Sequence, residues 1–336
     1  MKKKLLSVLL CAAMVASLAA GCGAKEESAA EEPAVTEEAA ASAEEEAEAP
    51  AEEADEENYE TGDASLDNTR NQDEIGENEL LVVSFGTSFN DNRRLTVGAI
   101  EEKIEAAFPE YSVRRAFTSQ IIIDHVMSRD NVKIDNVKEA LDRAVANGVK
   151  NLVVQPTLLM NGLEYEELTT TLAEYADAFE SVKVGEPLLM SDEDFQTIAK
   201  AIVDATAEYD DGKTAIVYMG HGTHHESNGV YAKMQTILKD GGNDNYFVGT
   251  VEGSPMLDDV MPLVQAGDYE RVVLRPLMIV AGDHANNDMA SLEEAGAWAY
   301  EFEAAGYEVV NVIEGLGQLE AIQDLAVAHA KEAIAK

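Results

Sequence analysis

The sequence has two cysteines, Cys11 and Cys22, and both lie within its first 22 residues. The rest of the chain therefore has no thiol with which to form a disulfide, ligate a metal or attack a substrate. Basic residues are also scarce, with 24 lysines and arginines against 65 acidic residues and a net charge of −41. This charge argues against nucleic acids and anionic membrane surfaces as partners.

Several common active-site motifs are missing as well. The chain has no glycine-rich phosphate loop ending in Lys-Ser or Lys-Thr, and no Gly-x-Gly-x-x-Gly turn opening a helix after the first strand. It also lacks the Gly-x-Ser-x-Gly elbow of serine hydrolases, so Ser84 in SFGTS is not predicted to be a nucleophile.

The N-terminus predicts export. Three lysines at positions 2–4 precede a short apolar stretch over residues 5–20, which is typical of a secretory signal. The stretch ends in LAAGC, which resembles a bacterial lipobox, so we predict a lipoprotein signal peptide over residues 1–22 and lipidation of Cys22. No second hydrophobic stretch is long enough to span a bilayer, so the protein is expected on the extracytoplasmic face of the membrane, held by its lipid alone.

Residues 23–78 are predicted to be an acidic, disordered tether. From Lys25 to Glu79 the chain has 22 acidic and 2 basic residues, a net charge of −20, and few branched or aromatic side chains to bury. Subtracting this segment and the +3 of the leader from −41 leaves −24 for residues 80–336. That acidic part is large enough for two modest α/β lobes.

Apolar runs alternate with amphipathic stretches in this part, the pattern of βαβ units on a parallel sheet. Four runs of the first half recur in order in the second: LVVSFGTS as IVYMGHGT, YSVRRAFTS as YFVGTVEGS, LVVQPTLLMNG as VVLRPLMIVAG, and VKVGEPL as VVNVIEGL. We therefore predict an α/β fold with two similar flavodoxin-like lobes, residues 79–208 and 209–336, each with a parallel sheet and with a cleft between them.

Three strand-like runs of the second half each end in a potential metal ligand, namely His221, Glu252 and His284. Neighbouring parallel strands bring their carboxyl ends to one edge of a sheet, where open α/β sheets bind ligands. Two imidazoles and a carboxylate suit a divalent transition ion better than calcium or magnesium. The first half has Phe85 where the second has His221, so the ligand set is expected in one lobe only.

The motifs resemble a known family. From about Leu80 to the C-terminus, the segments VVSFGTS, VVQPTLLMNGLEY, YMGHGTHH, VGTVEGSP, LMIVAGDHANNDMAS and EGLGQ resemble the anaerobic sirohydrochlorin cobalt chelatases, the CbiK-like class II chelatases. The resemblance implies the chelatase fold and insertion of Co²⁺ into sirohydrochlorin, without ATP, in the anaerobic cobalamin pathway. It also implies that His221, Glu252 and His284 hold the ion and that the first two are catalytic.

One position departs from the family pattern, because Leu158 stands where members of the family commonly carry a histidine. An auxiliary role of that position in metal or substrate binding is therefore left open. The ion is also left open among Co²⁺, Fe²⁺, Ni²⁺ and Zn²⁺, since such ligand sets accept several metals.

Substrate contacts are predicted from the strand ends. Sirohydrochlorin carries many carboxylates, which an acidic domain repels, so local cations or backbone amides must offset the field. The candidate cations are Arg93, Arg94, Arg114 and Arg115, and the predicted substrate-binding residues are Ser84, Phe85, Thr87, Arg93, Arg115 and His225.

Two alternatives stay open beside the cobalt chelatase. One is a cell-surface lipoprotein that captures a metal ion, haem or another tetrapyrrole for uptake, and the other is a chelatase for Fe²⁺ or Ni²⁺. The expected partners are a small tetrapyrrole and a divalent metal, and self-association into a homo-oligomer is left open.

Overall fold

The computed structural model describes residues 61–336, so the predicted signal peptide, Cys22 and most of the predicted tether lie outside the described residues. Within this range the strands are β1 (Asn78–Ser84), β2 (Ser112–Phe117), β3 (Asn151–Pro156), β4 (Ser181–Val184), β5 (Thr214–Gly220), β6 (Tyr246–Thr250), β7 (Arg271–Pro276) and β8 (Glu308–Asn311). They form two four-stranded sheets, ordered β2-β1-β3-β4 and β6-β5-β7-β8.

Both sheets are parallel throughout, and their strand orders are identical. The central strands β1 and β5 are continuous apolar runs because helices cover both of their faces. The predicted α/β fold of two similar lobes with parallel sheets is therefore confirmed.

Ten α-helices connect and cover the strands in the described part of the chain. They are α1 (Asn90–Arg93), α2 (Ala99–Ala107), α3 (Gln120–Asp130), α4 (Val137–Ala146), α5 (Leu163–Glu174), α6 (Asp192–Asp204), α7 (Gly229–Asp240), α8 (Leu257–Gln265), α9 (Trp298–Ala304) and α10 (Glu320–Ala335). Two begin with reciprocal capping boxes, Asn136 with Glu139 at α4 and Ser191 with Asp194 at α6, which satisfy backbone amides that a helix start leaves unpaired. Among residues 61–336, none of the helices is both long and apolar enough to cross a membrane.

The two lobes exchange their last helices. At the C-terminal end of α6, the carbonyl of Ile202 accepts a hydrogen bond of 2.8 Å from the hydroxyl of Tyr218 in β5. Conversely, α10 packs against α2 of the first lobe, and Lys183 of β4 donates a hydrogen bond of 2.5 Å to the carbonyl of Ile334. The predicted boundary between residues 208 and 209 therefore divides the sheets but not their helical layers, because each lobe completes the other's apolar core.

The described end of the predicted tether also differs from the expectation. Residues 61–77 pack along the first lobe, where the side chains of Asp67 and Arg70 are both only 3% exposed. The Asp67 carboxylate accepts hydrogen bonds of 2.7 Å from Arg93 and 2.7 Å from Arg115. The expectation of a disordered tether up to residue 78 is thus wrong for residues 61–78, because Asp67 of this segment pairs with Arg93 and Arg115 inside the lobe.

Candidate metal centre

His221 and Glu252 are held side by side by the backbone at the carboxyl edge of the second sheet. His221 follows the last residue of β5, and Glu252 lies two residues beyond β6, the neighbouring strand. The hydrogen bonds between these strands continue past their ends, from Val251 N–H to the Gly220 carbonyl at 3.0 Å and from Glu252 N–H to the His221 carbonyl at 2.8 Å. The backbone positions of His221 and Glu252 are therefore fixed relative to each other.

The turn after His221 requires glycine. Gly222 has φ +88°, in the left-handed region, and a Cβ there would lie 2.3 Å from the Gly253 nitrogen. The hydroxyl of buried Tyr231 accepts a hydrogen bond of 3.2 Å from the Gly222 N–H. Asn228 joins the loop after β5 to the loop after β6, since its side chain accepts a hydrogen bond from Thr223 N–H and donates one to the Ser254 carbonyl.

His284 reaches the same place from the loop after β7, which is the other neighbour of β5. The N–H of Ala281 donates a hydrogen bond of 2.8 Å to the Asn92 side chain of the first lobe, which anchors the start of this loop. A single turn of π-helix, Ala285–Met289, follows His284 and fixes the direction of the chain after it.

The three predicted ligands come together. One potential ligand atom from each of His221, Glu252 and His284 lies within 4.8 Å of the other two. The two imidazole rings are 4.7 Å apart between centroids and nearly perpendicular, at 82°. A metal with ligand bonds of about 2.1 Å needs donor atoms roughly 3–4 Å apart, so small side-chain rotations would close the site on an ion.

Hydrogen bonds indicate which ring nitrogen is free on each histidine. Nδ1 of His221 lies 2.8 Å from the Gly222 carbonyl, and Nδ1 of His284 lies 2.7 Å from the Asp288 carboxylate. Both partners accept, so each Nδ1 carries a proton, and in the neutral imidazole Nε2 keeps its lone pair for a metal. The hydrogen bond and charge of Asp288 also raise the pKa of His284 above its ordinary value.

A cavity of about 290 Å³ lies between the lobes, lined by residues that include Phe89, Leu95, Asn286 and Ile313. None of the three candidate ligands lines it. Ala281 and Asn286, which also line the cavity, belong to the same loop as His284, and Glu252 of the candidate metal centre is exposed.

Residues 78–335 match the model of a protein family described as Cobalt chelatase (CbiK). The chain belongs to this cobalt chelatase family. A sirohydrochlorin cobaltochelatase of Salmonella typhimurium is 34% identical over 258 residues, covering 76% of this chain and 96% of the relative. The sirohydrochlorin cobaltochelatase CbiKC of Nitratidesulfovibrio vulgaris is 29% identical over 257 residues, covering 76% of this chain and 90% of the relative.

Solved chelatase structures share the fold of this cobalt chelatase family member. SirB from Bacillus subtilis subspecies spizizenii in complex with cobalt superposes with a TM-score of 0.52 at 12% identity, covering 77% of this chain and 95% of that one. SirB from Bacillus subtilis with Fe³⁺ gives a TM-score of 0.50 at 13% identity, covering 77% and 96%. At these identities the likeness establishes the fold alone.

The arginines predicted to bind substrate are buried in this chelatase family member. Arg93, Arg114 and Arg115 all have fully buried side chains. Arg93 pairs with Asp67 at 2.7 Å, and Arg115 pairs with both Asp67 and Glu101 at 2.7 Å. Their assignment to the substrate was wrong, because their charges are already neutralised inside the first lobe.

A second ion-paired group lies across β2 from Arg115. Arg114 pairs with Glu79 at 3.3 Å and with Asp135 at 3.1 Å. Adjacent residues of a strand point to opposite faces of the sheet, so these two arginines enter two different helical layers. Arg94 is the only one of the four candidate cations that is partly exposed, and it lies 3.4 Å from the Asp91 carboxylate.

Two other predicted substrate contacts are buried as well. Ser84 is 1% exposed and shares a hydrogen bond of 2.7 Å with the Thr157 hydroxyl. Thr87 is 2% exposed, and its hydroxyl packs against Gly282 of the second lobe, where an added Cβ would lie only 3.1 Å away. The prediction that Ser84 and Thr87 contact substrate is therefore wrong for this structure, because neither side chain reaches the open surface.

Phe85 and His225 remain accessible. Phe85 follows β1 and is 39% exposed. His225 lies 3.6 Å from the Glu166 carboxylate of α5, so it faces the first lobe across the cleft. Leu158, at the position where the family commonly has histidine, is 8% exposed and lies among the buried residues of the first lobe.

Sequence reasoning missed the supports of the site, Tyr231 and Asn228. Tyr231 occupies a buried position of α7 that any large apolar residue could fill, so the pattern gives no sign that its hydroxyl holds the Gly222 amide. Asn228 lies in a loop, where asparagine is too common to single out.

Proposed function

We propose that this chain is a sirohydrochlorin cobaltochelatase, which inserts Co²⁺ into sirohydrochlorin without ATP in anaerobic cobalamin synthesis. The observation that carries the proposal is the meeting of His221, Glu252 and His284 at the carboxyl edge of the second sheet. Membership of the cobalt chelatase family and the relative from Salmonella typhimurium support the same substrate and metal.

The chemistry of metal insertion suits these three side chains. The reaction removes two pyrrole protons and strips part of the hydration shell from the ion. The Nε2 atoms of His221 and His284 and the carboxylate of Glu252 would replace part of that shell and leave the remaining positions open to the ring. Imidazole and carboxylate ligands let the ion move on to the ring more readily than thiolates would.

The pyrrole protons need acceptors beside the ring. Glu252 is exposed at the edge of the sheet, and His221 lies next to it, so both can face a macrocycle placed over the metal. We propose that His221 and Glu252 take the protons as the ion leaves them, while exposed Phe85 packs on the ring from the first lobe.

We also propose that the enzyme works outside the cytoplasm, anchored by a lipid on Cys22. This rests on the lysines at positions 2–4, the apolar stretch that follows and the LAAGC segment. Labelling of the full chain with radioactive palmitate in a bacterial host, and loss of label in Cys22→Ser, would support the anchor. Equal labelling of both chains would refute lipidation at this cysteine.

Export favours one alternative function. Tetrapyrrole synthesis normally takes place in the cytoplasm, whereas capture of a metal or a tetrapyrrole for uptake takes place at the cell surface. The same three ligands could hold an ion, or a metal already in a ring, without inserting it.

One experiment separates these functions. The purified full chain is mixed with sirohydrochlorin and Co²⁺, Ni²⁺ or Fe²⁺, and metallation is followed by the change in visible absorption. The proposal expects insertion of Co²⁺ well above the uncatalysed rate. Faster insertion of Ni²⁺ or Fe²⁺ would reassign the metal, and stoichiometric binding without acceleration by any metal would favour capture.

A further inference from the structure

His284 is positioned differently from the other two candidate ligands. The hydrogen bonds between β5 and β6 continue to His221 and Glu252, so the backbone places both. His284, in contrast, lies eight residues beyond the end of β7, outside any strand. The hydrogen-bond partner of its imidazole is a side chain of its own loop, Asp288.

The loop supplies three consecutive contacts between groups four residues apart. Asn286 donates a side-chain hydrogen bond of 2.7 Å to the Gly282 carbonyl. Asn287 donates one of 2.6 Å to the Asp283 carboxylate. The third contact is the 2.7 Å hydrogen bond from His284 Nδ1 to Asp288. The turn Ala285–Met289 thus folds each later side chain back onto the group four positions before it.

We propose that Asp288 is a positioning residue, whose carboxylate fixes the tautomer and orientation of His284 so that Nε2 faces the ion held by His221 and Glu252. This proposal rests on the metal site of the proposed function. Among the described residues, Asp288 is the carboxylate that the structure places in hydrogen-bond contact with a candidate ligand imidazole. Carboxylates in this position typically strengthen metal binding by about 10- to 100-fold.

Asp288 could instead ligate an ion itself, since Asp283, His284 and Asp288 also form a group of potential ligands. Two contacts argue against this second arrangement. The distance of 2.7 Å between Nδ1 and the carboxylate is that of a charge-assisted hydrogen bond, which leaves no space for an ion between them. The Asp283 carboxylate accepts a hydrogen bond of 2.6 Å from the Asn287 side chain, so one of its oxygens is already engaged within the loop.

The test measures binding of Co²⁺ alone to the full chain, by calorimetry and by the visible absorption of the bound ion. Asp288→Asn keeps the shape of the side chain and removes its charge, and it is expected to lower the affinity for Co²⁺ by about 10- to 100-fold. The spectrum of bound Co²⁺ should change as well. Asp288→Glu, which restores the carboxylate, should recover part of the affinity.

Two control variants separate positioning from general effects. Glu293→Gln removes an exposed negative charge from the same loop and should leave Co²⁺ binding unchanged. Asn287→Ala removes the neighbouring loop contact and should weaken Co²⁺ binding less than Asp288→Asn does.

The possible outcomes distinguish this inference from the proposed function. Affinity and spectrum of Asp288→Asn equal to those of the wild type would overturn the positioning role while leaving the three-ligand site intact. An equal loss in Asn287→Ala would also overturn it, because Asp288 would then act only through the loop fold. A wild-type chain that binds no Co²⁺ would instead refute the metal site on which both proposals depend.

Discussion

Replacing Asp67 by asparagine should destabilise the first lobe strongly, although the residue belongs to a segment whose composition predicts a free tether. Asp67 is the carboxylate with which buried Arg93 pairs, and it is one of two that neutralise buried Arg115. Burial opposes its ionisation, but the hydrogen bonds and charges of Arg115 and Arg93 outweigh burial and hold its pKa below the ordinary value. The substitution thus takes away the carboxylate that lies 2.7 Å from the buried Arg93 guanidinium, and it leaves Arg93 with neutral hydrogen-bond partners and the weaker attraction of Asp130.

The magnitude follows from the geometry. Removing one partner of a buried ion pair costs about 3–5 kcal/mol, because the other charge stays buried and uncompensated. Asparagine keeps one acceptor oxygen and Arg115 keeps Glu101, so the lower end, about 3 kcal/mol, applies here. For a domain of this size, that loss lowers Tm by roughly 6–12 °C.

Thermal unfolding of the wild type and Asp67→Asn, followed by circular dichroism near neutral pH, measures this loss. Glu105→Gln is the matched control, since Glu105 pairs with Arg70 of the same segment but is 55% exposed, and exposed pairs contribute at most about 1 kcal/mol. A lowered carboxyl pKa stabilises the fold above the unfolded value of 3.8, so the difference between wild type and Asp67→Asn should shrink as the pH falls below it. A Tm within about 2 °C of the wild type would refute the buried anchoring of this segment.

Three further predictions concern the site and the buried charges. Gly222→Ala should lower the affinity for Co²⁺, measured by calorimetry, by about tenfold or more, because the added Cβ would push the His221 turn away from Gly253. The circular dichroism spectrum should stay that of the wild type, and an unchanged affinity would contradict this geometry. Phe85→Ala should raise KM for sirohydrochlorin about tenfold in initial-rate assays and leave Co²⁺ affinity unchanged, and an unchanged KM would remove Phe85 from the ring site. Burial raises the pKa of Glu79 from 4.5 to about 7, although the charge of Arg114 opposes this shift. The folded state therefore holds the proton of Glu79 more tightly than the unfolded state does. The stability that this adds is present below about pH 4.5 and is lost as the pH rises towards 7. In urea unfolding, the stability of the wild type relative to Glu79→Gln should therefore fall by up to about 3 kcal/mol over this range, and parallel pH profiles would contradict the raised pKa.

The strands and the candidate ligands could be predicted from sequence because both depend on local patterns. Continuous apolar runs such as LLVVS mark strands that are covered on both faces, and the repeat of four runs indicates two similar sheets. His221 follows its strand directly, so the parallel topology alone brings it to the edge where Glu252 and His284 also lie.

The fate of the charged residues could not be predicted in the same way. Arg93 and Arg115 look like surface cations in sequence, since nothing local shows that Asp67 and Glu101 lie beside them. The packing of residues 61–77 against the first lobe depends on those same contacts, which span tens of residues along the chain. The exchange of α6 and α10 between lobes was hidden for a related reason, because an amphipathic pattern gives the buried face of a helix but not the sheet that it covers.

The rate of Co²⁺ insertion into sirohydrochlorin by His221→Ala, compared with the wild type, measures whether the proposed three-ligand site performs the insertion. In the structure, His221 is the candidate ligand between Glu252 and His284 at the end of the central strand, so its loss should leave the fold intact and abolish catalysed insertion. We expect the wild type to metallate the ring well above the uncatalysed rate and His221→Ala to match that uncatalysed rate. A folded His221→Ala chain that inserts Co²⁺ as fast as the wild type would contradict the account.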